Sequence, residues 1–332
     1  MRFIISVFGE KHIGMLLTCL YSITHSNPDE KISVYWEDID LNLLQPIMTG
    51  FNKVDFIKTD FQFQKDPVKR ISSKVNIWHM AAKNSIGDNI CLLDADTLVL
   101  KSISHFFKDY SEDIMFTHKP DEQFPINTGV ILCRNTEHTI SFFDLWRDET
   151  IKIINTPELF SIANSINHHY GGADQMSICS IFEYEKQKKR YDIRINNDML
   201  TIKPIHCKVL NETNSTQITE QTHIIHYKGG WQPVLLEGMN FTKDRTRDNS
   251  KDMYLLYLNT YKKAVEYVND LLNKKYSLSF FRIIVPFYMN EDLSEKMIYY
   301  WIYYLNASIN TMIRINISRL NKVINMIKKL RR

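Results

Sequence analysis

The sequence is short of the features that mark special classes of chain. It has five cysteines in 332 residues, Cys19, Cys91, Cys133, Cys179 and Cys207, odd in number, widely spaced and without a C-x-x-C pair. That argues against a disulfide-dense scaffold and a thiolate zinc site, and it predicts reduced core thiols in a reducing compartment. Ten glycines exclude a collagen-like repeat, and no internal repeat of any period is visible. No apolar run reaches the ~18 residues of a membrane span. The apolar run at residues 3–8 is too short for a secretion signal and is interrupted at once by Glu10 and Lys11. Without such a signal, the N-x-S/T sequons at Asn211, Asn214, Asn240, Asn306 and Asn316 are read as incidental.

What remains is ordinary globular composition, 44% hydrophobic and 24% charged. It excludes a disordered chain and allows a sizeable core, in one large domain with a smaller one or in two domains. The net charge of +3 is unevenly spread. Residues 312–332 carry Arg314, Arg319, Lys322, Lys328, Lys329, Arg331 and Arg332 and no acid, which leaves −4 on residues 1–311. A mildly acidic body offers no broad basic face, so nucleic acid is not expected as a partner.

Hydrophobic periodicity predicts strands at 2–8, 32–36 and 53–57, with helices at 13–25 and 42–51 between them. This strand–helix–strand opening is an α/β signature with a mainly parallel sheet. A helix over 70–85, closed by Gly87, leads to the apolar stretch 89–100 (NICLLDADTLVL), read as a strand that ends in acids. Further strands are expected at 113–117, 128–133 and 222–228, and helices at 139–153 and from the glycine turn at 171–172. The polar segment 242–252 reads as a linker or surface loop, and the pattern after it is helical throughout. The domain division expected is 1–243 for the α/β body and 244–332 for a C-terminal helical region with a basic amphipathic tail.

Four local patterns carry chemistry. Asp94-Ala95-Asp96 places two carboxylates at i and i+2 at the end of a buried strand, where they can hold a hard divalent cation through oxygen. Carboxyl ends of strands are where α/β folds place ligands. Read alone, the pair is also compatible with a solvated turn. His226-Tyr227-Lys228-Gly229-Gly230-Trp231 offers an imidazole ligand, a compact cation for phosphate, and glycines whose amides can approach an anion. Asn127-Thr128-Gly129 at a strand mouth offers hydrogen bonds to hydroxyl-rich ligands. Gly171-Gly172-Ala173-Asp174-Gln175 sets an acid and an amide on a helix's first turn, where an N-cap would equally explain the acid.

Taken in order, D-x-D, N-T-G, A-D-Q and H-x-K-G-G-W resemble the GT-A glycosyltransferases, most closely the family 8-like nucleotide-sugar transferases, over residues 1–235. The lysine here follows its histidine by two residues rather than six, and Trp231 is followed by Gln232-Pro233. The resemblance implies an α/β GT-A fold, a Rossmann-like mixed sheet flanked by helices, with a C-terminal helical extension. It implies Asp94, Asp96 and His226 as ligands of Mn²⁺ or Mg²⁺, with the metal bridging to the diphosphate of a UDP-sugar. Phe8 and Gly9 would hold the uridine, and Lys74 would contact the donor. Ala95, Lys228, Gly229 and Trp231 would complete the donor site. Asn127, Asp174 and Gln175 would serve the transferred sugar and the acceptor.

The reaction so implied moves a hexose to an acceptor hydroxyl on a glycan or lipid-linked glycan. The family likeness favours retention; under an inverting reading Asp174 would be the general base. Ile313, Ile317, Leu320, Ile324 and Ile327 form one apolar stripe on a cationic tail. Such a helix suits an anionic membrane surface, or alternatively packing on the body or a second subunit, so homo-oligomerisation stays open. The expectation is a cytoplasmic enzyme, peripheral at the inner face of the membrane, in surface polysaccharide or lipopolysaccharide synthesis. The alternatives are a non-catalytic glycan-binding or scaffold domain of the same fold, which would not need the metal constellation, and a nucleotidyltransferase, which would need an N-terminal glycine-rich basic loop that FGEKHIGM does not supply.

Overall fold

The computed structural model describes residues 1–59, 67–72, 74–119, 125–166, 172–181, 183–196, 198–213, 218–229, 231–237 and 250–283. Gly171, Gly230, residues 242–249 of the polar segment, the aromatic cluster at 299–304 and the basic tail lie outside the described residues.

The strands are β1 (Arg2–Phe8), β2 (Lys31–Glu37), β3 (Val54–Lys58), β4 (Asn89–Asp94), β5 (Thr97–Val99), β6 (Ile114–His118), β7 (Ile126–Arg134), β8 (Tyr191–Ile195), β9 (Asp198–His206) and β10 (Ile224–His226). The helices begin with α1 (Ile13–Ser26), α2 (Leu41–Gly50), α3 (Pro67–Ser72), α4 (Lys74–Lys83), α5 (Phe106–Asp109) and α6 (Glu137–Asn155). They continue with α7 (Pro157–Ile166), α8 (Ala173–Ile181), α9 (Cys207–Leu210), α10 (Trp231–Glu237) and α11 (Ser250–Leu272). Eight strands form one sheet in the order β3-β2-β1-β4-β7-β6-β9-β8, and β5 and β10 form a separate pair. Neighbours run parallel from β3 to β4 and from β6 to β9, and antiparallel at β4–β7, β6–β7 and β8–β9. The fold is thus α/β with a mixed sheet.

Strand alternation builds the layers. On β1, β4 and β7, Phe3, Ile5, Val7, Cys91, Leu93, Val130 and Leu132 face one core with α1, α2 and α11. Ile4, Ile90, Leu92, Ile131 and Cys133 face a second core with α4, α6 and α8. A sheet buried on both faces needs the continuous apolar runs that these segments show. Helix starts are secured locally: Asp40 caps α2 by accepting from the Asn42 amide at 2.8 Å, and Thr136 and Thr139 form a capping box on α6. All five cysteines are free, and burial pushes the Cys19 and Cys133 thiols up to about 12.

The helix expected over 70–85 is described as α3 and α4, with Ser73 between them outside the described residues. Two expectations need correction. The stretch 89–100 is not one strand. β4 ends at Asp94, a turn follows, and β5 leaves the main sheet to pair with β10. Two adjacent carboxylates cannot continue through a core ladder without partners, so the chain turns where they occur. The region after 250 is not helical throughout: α11 ends at Leu272, and residues 273–283 are turns and irregular chain. β8, β9, α7 and α9 were not anticipated, although YDIRI has the apolar–charged alternation of a half-buried strand.

α11 packs on α1 and α2, and its Tyr257, Leu258, Tyr261, Val265 and Val268 join the first core. The chain then returns to the start of α1, where Gly14 makes room for it. A Cβ on Gly14 would lie 2.4 Å from both Ile283 Cγ1 and the Phe281 carbonyl oxygen. Gly14→Ala is therefore expected to destabilise the protein by about 1–3 kcal/mol despite the better helix propensity of alanine; urea denaturation of the two proteins measures it.

Candidate functional site

The parallel strands β1, β2 and β4 end at one rim of the sheet. Ser6 of β1 lies in register with Asp94, the last residue of β4. Gly9 follows β1 with φ +75°, a conformation that favours glycine, and its amide donates to the Glu37 carbonyl at the end of β2. The half-buried Phe8 ring carries the Arg70 guanidinium over its face at 5.5 Å, and Arg70 pairs with Asp38 at 3.2 Å.

The turn after β4 fixes the second carboxylate. Thr97 Oγ1 donates to the Asp94 carbonyl, and the Tyr227 amide donates to the Asp96 carbonyl. The β5–β10 pairing places His226 opposite Thr97, 129 residues away in the chain. One ligand atom from each of Asp94, Asp96 and His226 lies within 4.8 Å of the others. His226 Nε2 is 2.9 Å from Asp96 Oδ1 and 3.7 Å from Asp94 Oδ2, and it makes no aligned hydrogen bond. Asp96 and His226 are 8% and 2% exposed. Burial opposes ionisation of Asp96, but the neighbouring His226, the hydrogen bond from Gln232 and nearby His12 outweigh it, so its carboxyl lies well below the usual range. Gln232 Nε2 donates to Asp96 Oδ2 at 3.1 Å.

Lys74, the first residue of α4, is 7% exposed. Its ammonium donates to both Asp94 oxygens at 2.9 and 2.8 Å, lies 3.7 Å from Asp174 Oδ2, and sits 4.6 Å from the centroid of the Trp78 ring. Burial alone would lower its pKa; the Asp94 and Asp174 carboxylates outweigh that and raise it, so it stays charged. Asp174, on the first turn of α8, is 4% exposed. Burial raises its pKa against the opposing effects of Lys74 and of Thr128, whose hydroxyl donates to it at 2.5 Å. A divalent cation fits this cluster by its donor set: two carboxylates and an imidazole nitrogen that makes no aligned hydrogen bond, oxygen-rich with one nitrogen, as Mn²⁺ or Mg²⁺ accepts.

The structure thus brings Asp94, Asp96, His226, Lys74 and Asp174 together. The others have distinct places. Asn127, expected to face sugar, is buried with its amide oxygen accepting from the Gly129 amide and from Asn211. Ala95 is buried between the two carboxylates in the turn. Gln175 is half-buried on α8, and Lys228 and Gly229 are half-buried after β10, with Gly229 at φ +62°. Trp231 points into the protein: its indole N–H donates to the Thr213 carbonyl at 3.3 Å and its ring meets Tyr227 edge-on. Asn211 and Gln232 touch this cluster without having been expected to. Nothing local in N-E-T or W-Q-P announces them, because each acts across a turn that only the fold makes.

Lys74 is the counter-charge of two enclosed carboxylates, and removing one partner of a buried pair is costly. Lys74→Met is expected to lose about 3–5 kcal/mol of stability at pH 7. The loss should shrink as pH falls into the carboxylate range, where protonation removes the unpaired charges; denaturant melts at pH 7 and pH 4.5 test both statements.

No family model matches the chain, and no curated protein matches it. Solved structures do. The chain is similar to the glycosyltransferase GlyE of Streptococcus pneumoniae TIGR4, at 12% identity and TM-score 0.51, over 83% of this chain and 65% of that one. It thus spans a little less than two thirds of GlyE. It also aligns with the galactosyltransferase LgtC, solved with donor and acceptor sugar analogs, at 11% identity and TM-score 0.47, over 79% of this chain and 96% of LgtC. The bifunctional WbbM aligns at 10% identity and TM-score 0.45, over 83% of this chain and 52% of WbbM. At 12% identity the likeness to GlyE establishes architecture alone: the chain has the GT-A glycosyltransferase fold.

Proposed function

We propose that this chain is a metal-dependent glycosyltransferase that moves a hexose from a UDP-sugar to a hydroxyl of a glycan or lipid-linked glycan, with retention of anomeric configuration. The observation that carries the proposal is the convergence of Asp94, Asp96 and His226 within 4.8 Å at the carboxyl rim of the sheet, with buried Lys74 beside them. A scaffold domain has no use for three ionisable groups held together out of water, since such a cluster costs stability.

In this reading Asp94, Asp96 and His226 hold Mn²⁺ or Mg²⁺, which when bound supplies Lewis-acid neutralisation of the leaving diphosphate. Lys228, beside the histidine and ahead of Gly229, adds a second positive group for phosphate. Lys74 holds the Asp94 carboxylate in place while no donor is bound. Asp174 and Gln175 on the first turn of α8 border the sugar, and Phe8 and Gly9 at the end of β1 border the nucleoside. Half-buried Arg70 over Phe8 is a cation at the same rim.

The support for UDP rather than another nucleotide, for retention, and for a role in surface polysaccharide or lipopolysaccharide synthesis is the ordered set of motifs. Among the described residues no helix is long and apolar enough to cross a membrane. A lipid-linked acceptor and a place at the inner membrane face rest on the cationic amphipathic pattern of residues 312–332 alone.

Two experiments test the reading. Calorimetry should show UDP binding that depends on Mn²⁺ and is lost in Asp96→Ala; absence of UDP binding under every metal condition would overturn the UDP-sugar donor. For the tail, the full chain should sediment with vesicles containing phosphatidylglycerol and be released by ~0.5 M salt, where the screening length falls to a few ångströms; equal binding to neutral vesicles would refute an electrostatic contact.

A further inference from the structure

The Asn127-Thr128-Gly129 segment sits where β7 breaks register with β6. Phe116 pairs with Ile131, but the next residue, Thr117, pairs with Asn127. The extra residues bulge out and point alternately to two sides. Thr128 reaches Asp174, while Asn127 and Gly129 turn toward His226. A Cβ on Gly129 would lie 2.2 Å from His226 Cε1 and 2.5 Å from Nδ1, so the imidazole occupies the space a side chain would take.

The hydrogen bonds around this contact have a direction that can be assigned from one fixed point. A backbone amide can only donate. The Gly129 N–H lies 2.9 Å from the Asn127 side chain, so the Asn127 atom facing it is the oxygen. The same oxygen lies 2.8 Å from Asn211, which must present its NH₂; the second hydrogen of that group reaches Thr117 Oγ1 at 2.8 Å. Asn211 therefore turns its oxygen to His226 Nδ1, 2.9 Å away. An amide oxygen only accepts, so Nδ1 carries the proton, and in the neutral ring Nε2 carries a lone pair. That lone pair faces Asp96 and Asp94, two further acceptors. Asn127, Asn211, Thr117 and His226 are all buried, and each of these bonds is made directly.

We propose that Asn211, held by Asn127 and the Gly129 amide, is a positioning residue that fixes His226 as the Nδ1–H tautomer and so presents Nε2 to a divalent cation shared with Asp94 and Asp96. The purpose of the relay rests on the metal reading above; its existence does not. Orienting partners of this kind raise a histidine's quality as a ligand by holding tautomer and ring plane. The relay also gives the sequon at Asn211 a different meaning: both ends of this amide are committed inside the protein, and it is closed to modification.

The test is long-range ¹H–¹⁵N correlation on the full chain, labelled with ¹⁵N-histidine, without metal at pH 8.5, with His226 identified by its loss in His226→Gln. The expected result is protonated Nδ1 and bare Nε2 at His226. In Asn211→Leu the proton should move to Nε2, where Asp96 accepts it, and Mn²⁺ affinity measured by calorimetry should fall about 10–100-fold. Asn127→Asp keeps an acceptor in the same place and should keep the tautomer. Protonated Nε2 in the wild type, or an unchanged tautomer in Asn211→Leu, would overturn the relay. The wild-type spectrum does not depend on Asn211→Leu, so it decides even if that variant fails to fold. A wild-type Nδ1–H tautomer together with no Mn²⁺ binding would leave the relay standing and overturn the metal reading instead.

Discussion

Negative charge enclosed at the end of a core strand is the constraint around which this site is organised. Asp94, Asp96 and Asp174 converge from a strand end, a turn and a helix start, and two of the three are nearly buried. Left alone they would repel one another and lose hydration together. Lys74 answers two of them and His226 faces the third, with Gln232 closing the remaining Asp96 oxygen. Each of these groups comes from a different element, so the charge balance binds α4, α8, β10 and α10 to the rim of the sheet.

The turn at 94–96 has a second consequence. By breaking the strand it sends β5 out of the main sheet, and β5 becomes the template on which β10 pairs. α1 supports that small sheet from beneath: Ser22 Oγ accepts from the Val99 amide, and Cys19 and Thr97 meet at 3.4 Å. α11 in turn covers α1. The position of one imidazole thus depends on a stack of elements drawn from both ends of the described chain.

A shared fold narrows chemistry without assigning it. The GT-A architecture explains why a ligand would enter at the carboxyl rim. It does not explain why His226 should offer Nε2 rather than donate from it. That follows from a local bulge in β7, a missing side chain at Gly129 and two amides whose polarity is set by one backbone N–H. Asn127, expected to face sugar, has its amide oxygen committed to the Gly129 amide and to Asn211.

Much of the architecture was written in local pattern. The β-branched run at 2–8, the alternating apolar helix at 13–25 and the strand ending in Asp94-Ala95-Asp96 are each set by side-chain periodicity and by the cost of burying acids, which depend on near neighbours only. The D-x-D pair, the late histidine and the A-D-Q helix start were visible as short motifs, and their roles were implied by the resemblance of the ordered set to the GT-A glycosyltransferases. What the tertiary structure alone decided is contact across distance: Lys74 between Asp94 and Asp174, Gln232 on Asp96, Trp231 turned inward, and Asn211 behind His226. Hydrogen bonds and ion pairs have no sequence period, so an asparagine in N-E-T looks the same whether it faces water or orients a ligand, and only the packed chain tells the two apart.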